Sequence, residues 1–278
     1  MKYFSKDRLC ELNIHYDYYT LDYFLDSMEK LGVRNVELLG GRQGVWIDSA
    51  GFADTRPLLR KLRERGLSCP VITPENCCFQ HEVDAKEPEL VEDCFAYFCN
   101  GLRMGAELGA GIMEINSGRG YWNEDAAEAR KRAADMLHRL SEEAEKYGMT
   151  LACEALRPQE SIFGYTLPQM VELYKMVDHP RFRMMIDTTA MCVSGETIQQ
   201  WFDAFGAENI IHTHFQDCDP YGHRIWGDGD RDLNAFLKAL YTNGYTGLIS
   251  QELTVRDYYA DPFRFDRRNV ANLSRYLY

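Results

Sequence analysis

Four residues able to bind a divalent cation end four successive apolar segments between Thr150 and Glu252: Glu154 in LACEAL, Asp187 in MMIDTT, His214 in IIHTHFQD and Glu252 in LISQEL. Two glutamates, an aspartate and a histidine make a mixed oxygen and nitrogen donor set. Hard carboxylates suit Mg²⁺ or Mn²⁺, and imidazole admits Mn²⁺, Co²⁺, Fe²⁺ or Zn²⁺, so one Mn²⁺ per subunit is the favoured occupant. Four protein ligands leave open positions on an octahedral ion. Two adjacent substrate oxygens can chelate there, and the ion stabilises the charge that develops on them when a neighbouring C–H is deprotonated. A single acidic residue at a strand end is more often a solvated or capping group. Their joint occurrence points instead to convergence on one ion, because buried carboxylates without a cation are costly to keep charged. His212 and His214 share a strand face by period-two alternation. His214, at the tip, is the better ligand candidate, and His212 is either a second inward donor or a core histidine.

The elements that must position these residues alternate regularly. Strand-like runs are predicted at Leu9 to Ile14, Asn35 to Leu39, Ser68 to Thr73, Gly111 to Asn116, Thr150 to Glu154, Phe182 to Ile186, Asn209 to His214 and Gly247 to Glu252. Helical periodicity fills the intervals, at about Leu21 to Leu31, Arg56 to Arg65, Glu89 to Leu108, Glu124 to Tyr147, Leu167 to Val177, Thr197 to Phe205, Leu233 to Thr242 and Pro262 to Leu277. Eight strand–helix units imply a closed parallel (β/α)₈ TIM barrel, read here as a single domain over residues 1–278. Helix-to-strand links (LGVRN, RGLS, LGAG, YGMT, GAEN, NGYTG) are short and carry a glycine where a helix C-cap needs positive φ. Strand-to-helix links such as GGRQGVW, PENCCFQH, ALRPQESIFGY and CDPYGHRIWGDGDRD are long and chemically loaded. In this architecture such loops crowd the C-terminal face of the barrel, which becomes the expected working face.

Composition narrows the partners. A formal net charge of −12 repels a phosphate backbone and argues against nucleic acid. No apolar run approaches the ~18 residues that span a membrane, and the N-terminus lacks a signal-peptide core. The cysteines are odd in number, nine in all, and scattered without a CxxC pair, so they read as reduced thiols of a cytoplasmic protein. GGRQG has neither P-loop nor dinucleotide spacing, and no organic cofactor is expected.

Further residues stand where they can line the mouth. His15 and Glu37 are read as following the first two strands, while Trp46, Phe79, Tyr121, Trp122 and Trp226 lie in strand-to-helix loops where a flat ring can pack on a sugar. Arg42 and Arg119 can meet an anionic substituent. His138 and His179 lie away from that face, and Cys77, Cys78 and His81 lack zinc-site spacing. The aromatic tail from Arg256 to Tyr278 either closes the barrel bottom or packs on another subunit.

The motifs ELLGGR at 37–42, TPEN at 73–76, EALRPQES at 154–161, MID at 185–187, HTHFQD at 212–217, GDGD at 227–230 and GYTGLISQEL at 244–253 resemble the sugar isomerase/epimerase group of xylose-isomerase-like TIM barrels. Within it the chain is most similar to fructoselysine 3-epimerase and the ketose 3-epimerases. The resemblance implies that Glu154, Asp187, His214 and Glu252 hold the metal and that Glu154 and Glu252 are also the acid/base pair. It implies C3 epimerisation of a ketose or ketosamine, a small carbohydrate. One Glu removes the C3 proton to give a metal-bound cis-enediolate and the other reprotonates the opposite face. It also implies a homodimer or homotetramer, and a substrate contact at Glu160. The arginine that precedes the GxG turn in that group is approximated here by His223 or Arg224, and Ala190 replaces a substrate-binding histidine. Together with His15, Trp122 and Trp226, these make up the expected substrate-binding set. Isomerisation, inosose dehydration and 3-keto-glycoside elimination share the ligand set and form the alternative reading. A non-catalytic sugar-binding barrel is the alternative of a different class. A DNA-repair endonuclease would need more histidines than the seven present, and a basic face.

Overall fold

The structure is a computed structural model and describes residues 1–41, 44–77 and 81–278. Arg42, Cys78 and Phe79, singled out above, lie outside the described residues. Eight strands pair in sequence order, all parallel: β1 (Leu9–Leu12), β2 (Asn35–Gly40), β3 (Ser68–Pro74), β4 (Ile112–Asn116), β5 (Thr150–Glu154), β6 (Phe182–Asp187), β7 (Ile210–His214) and β8 (Ile249–Gln251). The barrel closes where β1 meets β8, with Leu9 opposite Ile249 and Glu11 opposite Gln251.

Around it run α1 (Leu21–Leu31), α2 (Arg56–Glu64), α3 (Pro88–Leu108), α4 (Ala126–Lys146), α5 (Leu167–Val177), α6 (Thr188–Val193), α7 (Ile198–Phe205), α8 (Leu233–Thr242) and α9 (Pro262–Leu273). Local chemistry sets their ends. The Thr20 hydroxyl accepts from Tyr23 N to start α1, and Gly32, at φ 70°, stops it in the left-handed conformation that a residue with a Cβ adopts at a cost. Each helix turns an apolar stripe onto the strands. Phe24, Leu25 and Met28 of α1, Phe98 and Leu102 of α3, and Leu137 and Leu140 of α4 are fully enclosed. Burying side chains of this size stabilises the fold by roughly 1.5–3 kcal/mol each.

Three features depart from the sequence expectation. The helix α6 was not anticipated: it springs directly from β6, and its six residues are too few for periodicity to reveal. The first strand ends at Leu12, because residues Asn13–Tyr16 coil into a 3₁₀ turn. The last strand stops at Gln251, which leaves Glu252 one residue beyond the sheet.

The aromatic tail folds back on its own chain. Leu277 pairs with Phe4, Tyr3 N donates to Tyr276 O at 2.8 Å, and the Tyr3 and Tyr276 rings stack. No helix among the described residues is long and apolar enough to cross a membrane.

Inside the barrel the lining is polar. Glu37, Glu114, His212, His214 and Ser250 are all buried, so the interior holds charge that must be matched internally.

Candidate active site

Three adjacent strands deliver Glu154, Asp187 and His214 as their last residues, and Glu252 follows β8. These four offer ligand atoms that all lie within 4.8 Å of one another. The Nδ1 atom of His214 stands 2.7 Å from Glu154 Oε1 and 3.3 Å from Glu252 Oε2. Asp187 is also the N-cap of α6: its Oδ1 accepts from Ala190 N at 2.6 Å, while its Oδ2 accepts from Gln216 Nε2 at 2.5 Å. Ala190 therefore contributes its backbone N–H to hold Asp187, and its methyl group faces the cavity.

Behind His214 lies Glu37, whose two carboxylate oxygens meet four donors. Oε1 accepts from the Thr73 hydroxyl at 2.6 Å and faces His214 Nε2 at 3.1 Å. Oε2 accepts from the Ser250 hydroxyl at 2.5 Å and faces His212 Nε2 at 2.9 Å. Burial would raise this carboxyl, but His212 and His214 hold it well below the usual carboxylate range. An ionised carboxylate only accepts, so both histidines carry their proton on Nε2 toward Glu37. The inward strand face shared by His212 and His214 is thus present, and His212 is a core histidine bound to Glu37.

Electrostatics then test whether a cation fits. With Nε2 donating to Glu37, the His214 Nδ1 lone pair points at two carboxylates, and a proton or a metal ion must stand between them. Burial disfavours the charged ring, yet Glu37, Glu154 and Glu252 raise His214 well above its ordinary value. Burial pushes Glu154 up to about 7, partly countered by His214. The buried Glu252 Oε2 lies 2.8 Å from His223 Nδ1 and 3.3 Å from His214 Nδ1. Three carboxylates and one imidazole nitrogen form a donor set that would suit a divalent ion.

Above the cluster opens a cavity of about 250 Å³, walled by Ile14, Cys77, Arg119, Leu156, Arg157, Glu160, His223 and Thr254 as well as Glu154, Asp187 and Glu252. The loop from β7 to α8 reaches over it because Asp217 gathers the loop backbone. Its Oδ1 accepts from Cys218 N and Arg231 N, and its Oδ2 from Gly227 N and Gly229 N, all at 2.9–3.0 Å. A Cβ on Gly229 would meet Asp217 Oδ1 at 2.4 Å, so only glycine allows that approach. Asp217 and Arg224 also exchange backbone hydrogen bonds, which turns His223 inward. Burial lowers His223, but Asp187 and Glu252 outweigh it and push the ring up to about 9. A larger cleft of about 620 Å³, lined by Asp7, Glu29, Arg34 and Arg65 among others, carries no ligand cluster among the described residues.

The predicted substrate set divides. His223 and Glu160 line the cavity, but Arg157 engages Glu160 at both oxygens, through Nε at 2.9 Å and through Nη2. Arg224 turns away and pairs with Asp219. His15 is enclosed, with Nε2 2.6 Å from Asp266 Oδ1, because the early 3₁₀ turn carries it behind the sheet toward α9. Trp226 is 1% exposed; its indole donates to Phe215 O at 3.1 Å and its ring packs on Phe215. Trp122 is 75% exposed and is not part of the cavity wall. Arg157 and Glu114 were not foreseen. Burial and then Glu154 hold Glu114 well above the usual carboxylate range. A lone glutamate at an inward position of the apolar run GIMEIN was the available signal.

The family model described as the xylose isomerase-like TIM barrel matches residues 25–271. The chain belongs to that family. Among curated relatives of this xylose isomerase-like barrel, fructoselysine 3-epimerase of Escherichia coli O157:H7 is 26% identical over 261 residues, covering 91% of this chain and 92% of the relative. Among solved structures, D-psicose 3-epimerase from Clostridium cellulolyticum H10 with D-tagatose superposes with a TM-score of 0.79 at 17% identity, covering 97% of this chain and 99% of that one. A protein titled IOLI, solved with a binding zinc atom, gives a TM-score of 0.78 at 19% identity, with coverage of 97% and 99%.

Proposed function

We propose that this chain is a divalent-metal-dependent sugar isomerase that inverts C3 of a ketose or ketosamine. The observation that carries this reading is the pairing of Glu154 and Glu252 around one point with Asp187 and His214, all four ligand atoms within 4.8 Å, under a cavity of sugar size. A relative named fructoselysine 3-epimerase, aligned over nine-tenths of both chains, supports the choice of substrate class.

Glu154, Asp187, His214 and Glu252 would hold the ion, with Mn²⁺ favoured for this donor set. When bound, the ion supplies a Lewis acid that lowers the cost of negative charge on adjacent substrate oxygens. The protein's own groups do the rest. One glutamate, ionised, takes the proton from C3, and the C–H electron pair moves into the neighbouring carbonyl. The other, protonated, returns a proton to the opposite face of the planar carbon. Two carboxyl groups on opposite faces invert the centre without any redox cofactor. His223 orients Glu252 and reaches the substrate's reacting end. The Arg157 and Glu160 pair forms one wall that positions hydroxyl groups, and Cys77, Ile14 and Leu156 limit water. The ring-packing role once open to Trp226 falls away, since its faces are buried.

The test is incubation of Mn²⁺-loaded protein with a panel of ketoses and fructosamines, followed by ¹³C NMR of the products. Appearance of the C3 epimer supports the reading. Aldose or dehydrated products without the epimer would replace it with isomerisation or dehydration on the same site.

A further inference from the structure

Glu37, His212 and His214 form a second cluster with ligand atoms inside 4.8 Å, wholly within the barrel. Its hydrogen bonding rules out a second ion there. Each Glu37 oxygen already faces one hydroxyl and one imidazole Nε2, at 2.5–3.1 Å, so the four acceptor directions of the carboxylate are filled by four donors. Thr73, Ser250, His212 and Glu37 are all at least 94% buried, and no water can replace a lost partner cheaply. The same bonds reach the proposed metal through a single ring. His214 presents Nε2 to Glu37 and Nδ1 to Glu154 and Glu252, so the two faces of one imidazole join the barrel interior to the mouth.

From this geometry we propose that Glu37 is a positioning residue for the metal centre. It fixes the Nε2–H tautomer and ring angle of His214, and so decides that Nδ1 is the metal-binding nitrogen. The inference rests on the reading that His214 holds the ion. A carboxylate behind a ligating imidazole raises the basicity of the ligand nitrogen and removes its freedom to rotate, which is how outer partners contribute to affinity. The sequence supplies Glu37 within an apolar run, NVELLG, where a charge has no other reason to face inward. His212 takes the remaining oxygen and keeps Glu37 from turning. Its own Nδ1 has no hydrogen-bond partner among the described residues, so it adds no further link outward there.

The experiment uses the full chain with Zn²⁺ as a diamagnetic probe. Long-range ¹H–¹⁵N NMR of the zinc-loaded protein is expected to show His214 bound through Nδ1 with a hydrogen-bonded proton on Nε2. Glu37→Gln keeps the shape but removes the charge and two of the acceptor directions. Calorimetric titration with Zn²⁺ is expected to give affinity about 10–100-fold weaker than the parent chain, the range typical of outer-partner loss. A His214 signal showing Nε2 on the metal would overturn the proposal, even if the variant does not fold. So would a folded Glu37→Gln protein with affinity within twofold of the parent. If His214→Asn binds Zn²⁺ as tightly as the parent, the metal-centre reading itself fails, and that failure is distinct from one confined to Glu37.

Discussion

His223 Nδ1 lies 2.8 Å from Glu252 Oε2 as an ion pair. His223 is buried and Glu252 nearly so, and His223 Nε2 stands 4.0 Å from Asp187 Oδ1. The histidine therefore sits over the carboxylates and pairs with Glu252, which it orients. Replacing it with alanine is expected to lower kcat/KM by about 10–100-fold, a typical cost of removing one oriented acid/base or positioning group. Mn²⁺ affinity should change by less than about fivefold, because four other residues supply the ligands. Parallel kinetics and metal titration check the split, and equal losses in both would place His223 among the ligands.

Removing metal should abolish turnover and lower thermal stability together. Clustered carboxylates repel one another in the ion-free protein, and an ion bound only by the folded state stabilises it by ~2.7 kcal/mol at a hundredfold excess over Kd. Dialysis against EDTA followed by a Mn²⁺ titration, read by melting temperature and activity, tests this. A melting temperature indifferent to metal would contradict it.

Asp217 carries the loop that delivers His223. Four backbone amides converge on its carboxylate, and Asp217→Ala leaves them without partners. A stability loss of about 2–4 kcal/mol is expected from denaturant unfolding. Gly229→Ala should weaken activity in the same direction, since its new Cβ collides with Asp217.

The tryptophans separate core from surface. Trp226→Ala empties a buried site between Phe215 and Phe236 and should cost about 3–5 kcal/mol. Trp122→Ala, at an exposed position, should stay within about 0.5 kcal/mol of the parent. Urea midpoints measured side by side decide between these outcomes.

The barrel and its four ligand candidates were legible because both signals are repetitive. Alternating apolar runs recur eight times, and donor residues recur at their ends. Side-chain direction in loops was not legible. His15 and Trp226 follow strands in the sequence, yet a 3₁₀ turn and the Asp217-centred loop carry both into packed surroundings. Nothing local to either residue encodes those turns. Arg224 and His223 are neighbours, and only the backbone pairing of Arg224 with Asp217 selects which of them faces inward. Glu37 was visible as a charge in a strand, but its partners come from β3, β7 and β8. No spacing within one segment can announce such a junction.

In the proposed reaction Glu154 and Glu252 exchange a substrate proton at C3. Incubation of the Mn²⁺-loaded protein in D₂O with ketoses and fructosamines, read by ¹H NMR at C3, tests it most directly. Deuterium is expected at C3 of both epimers of a turned-over sugar, and is expected to be lost in Glu154→Gln and Glu252→Gln. An epimer formed without deuterium at C3, or no exchange with any sugar of either class, would contradict it.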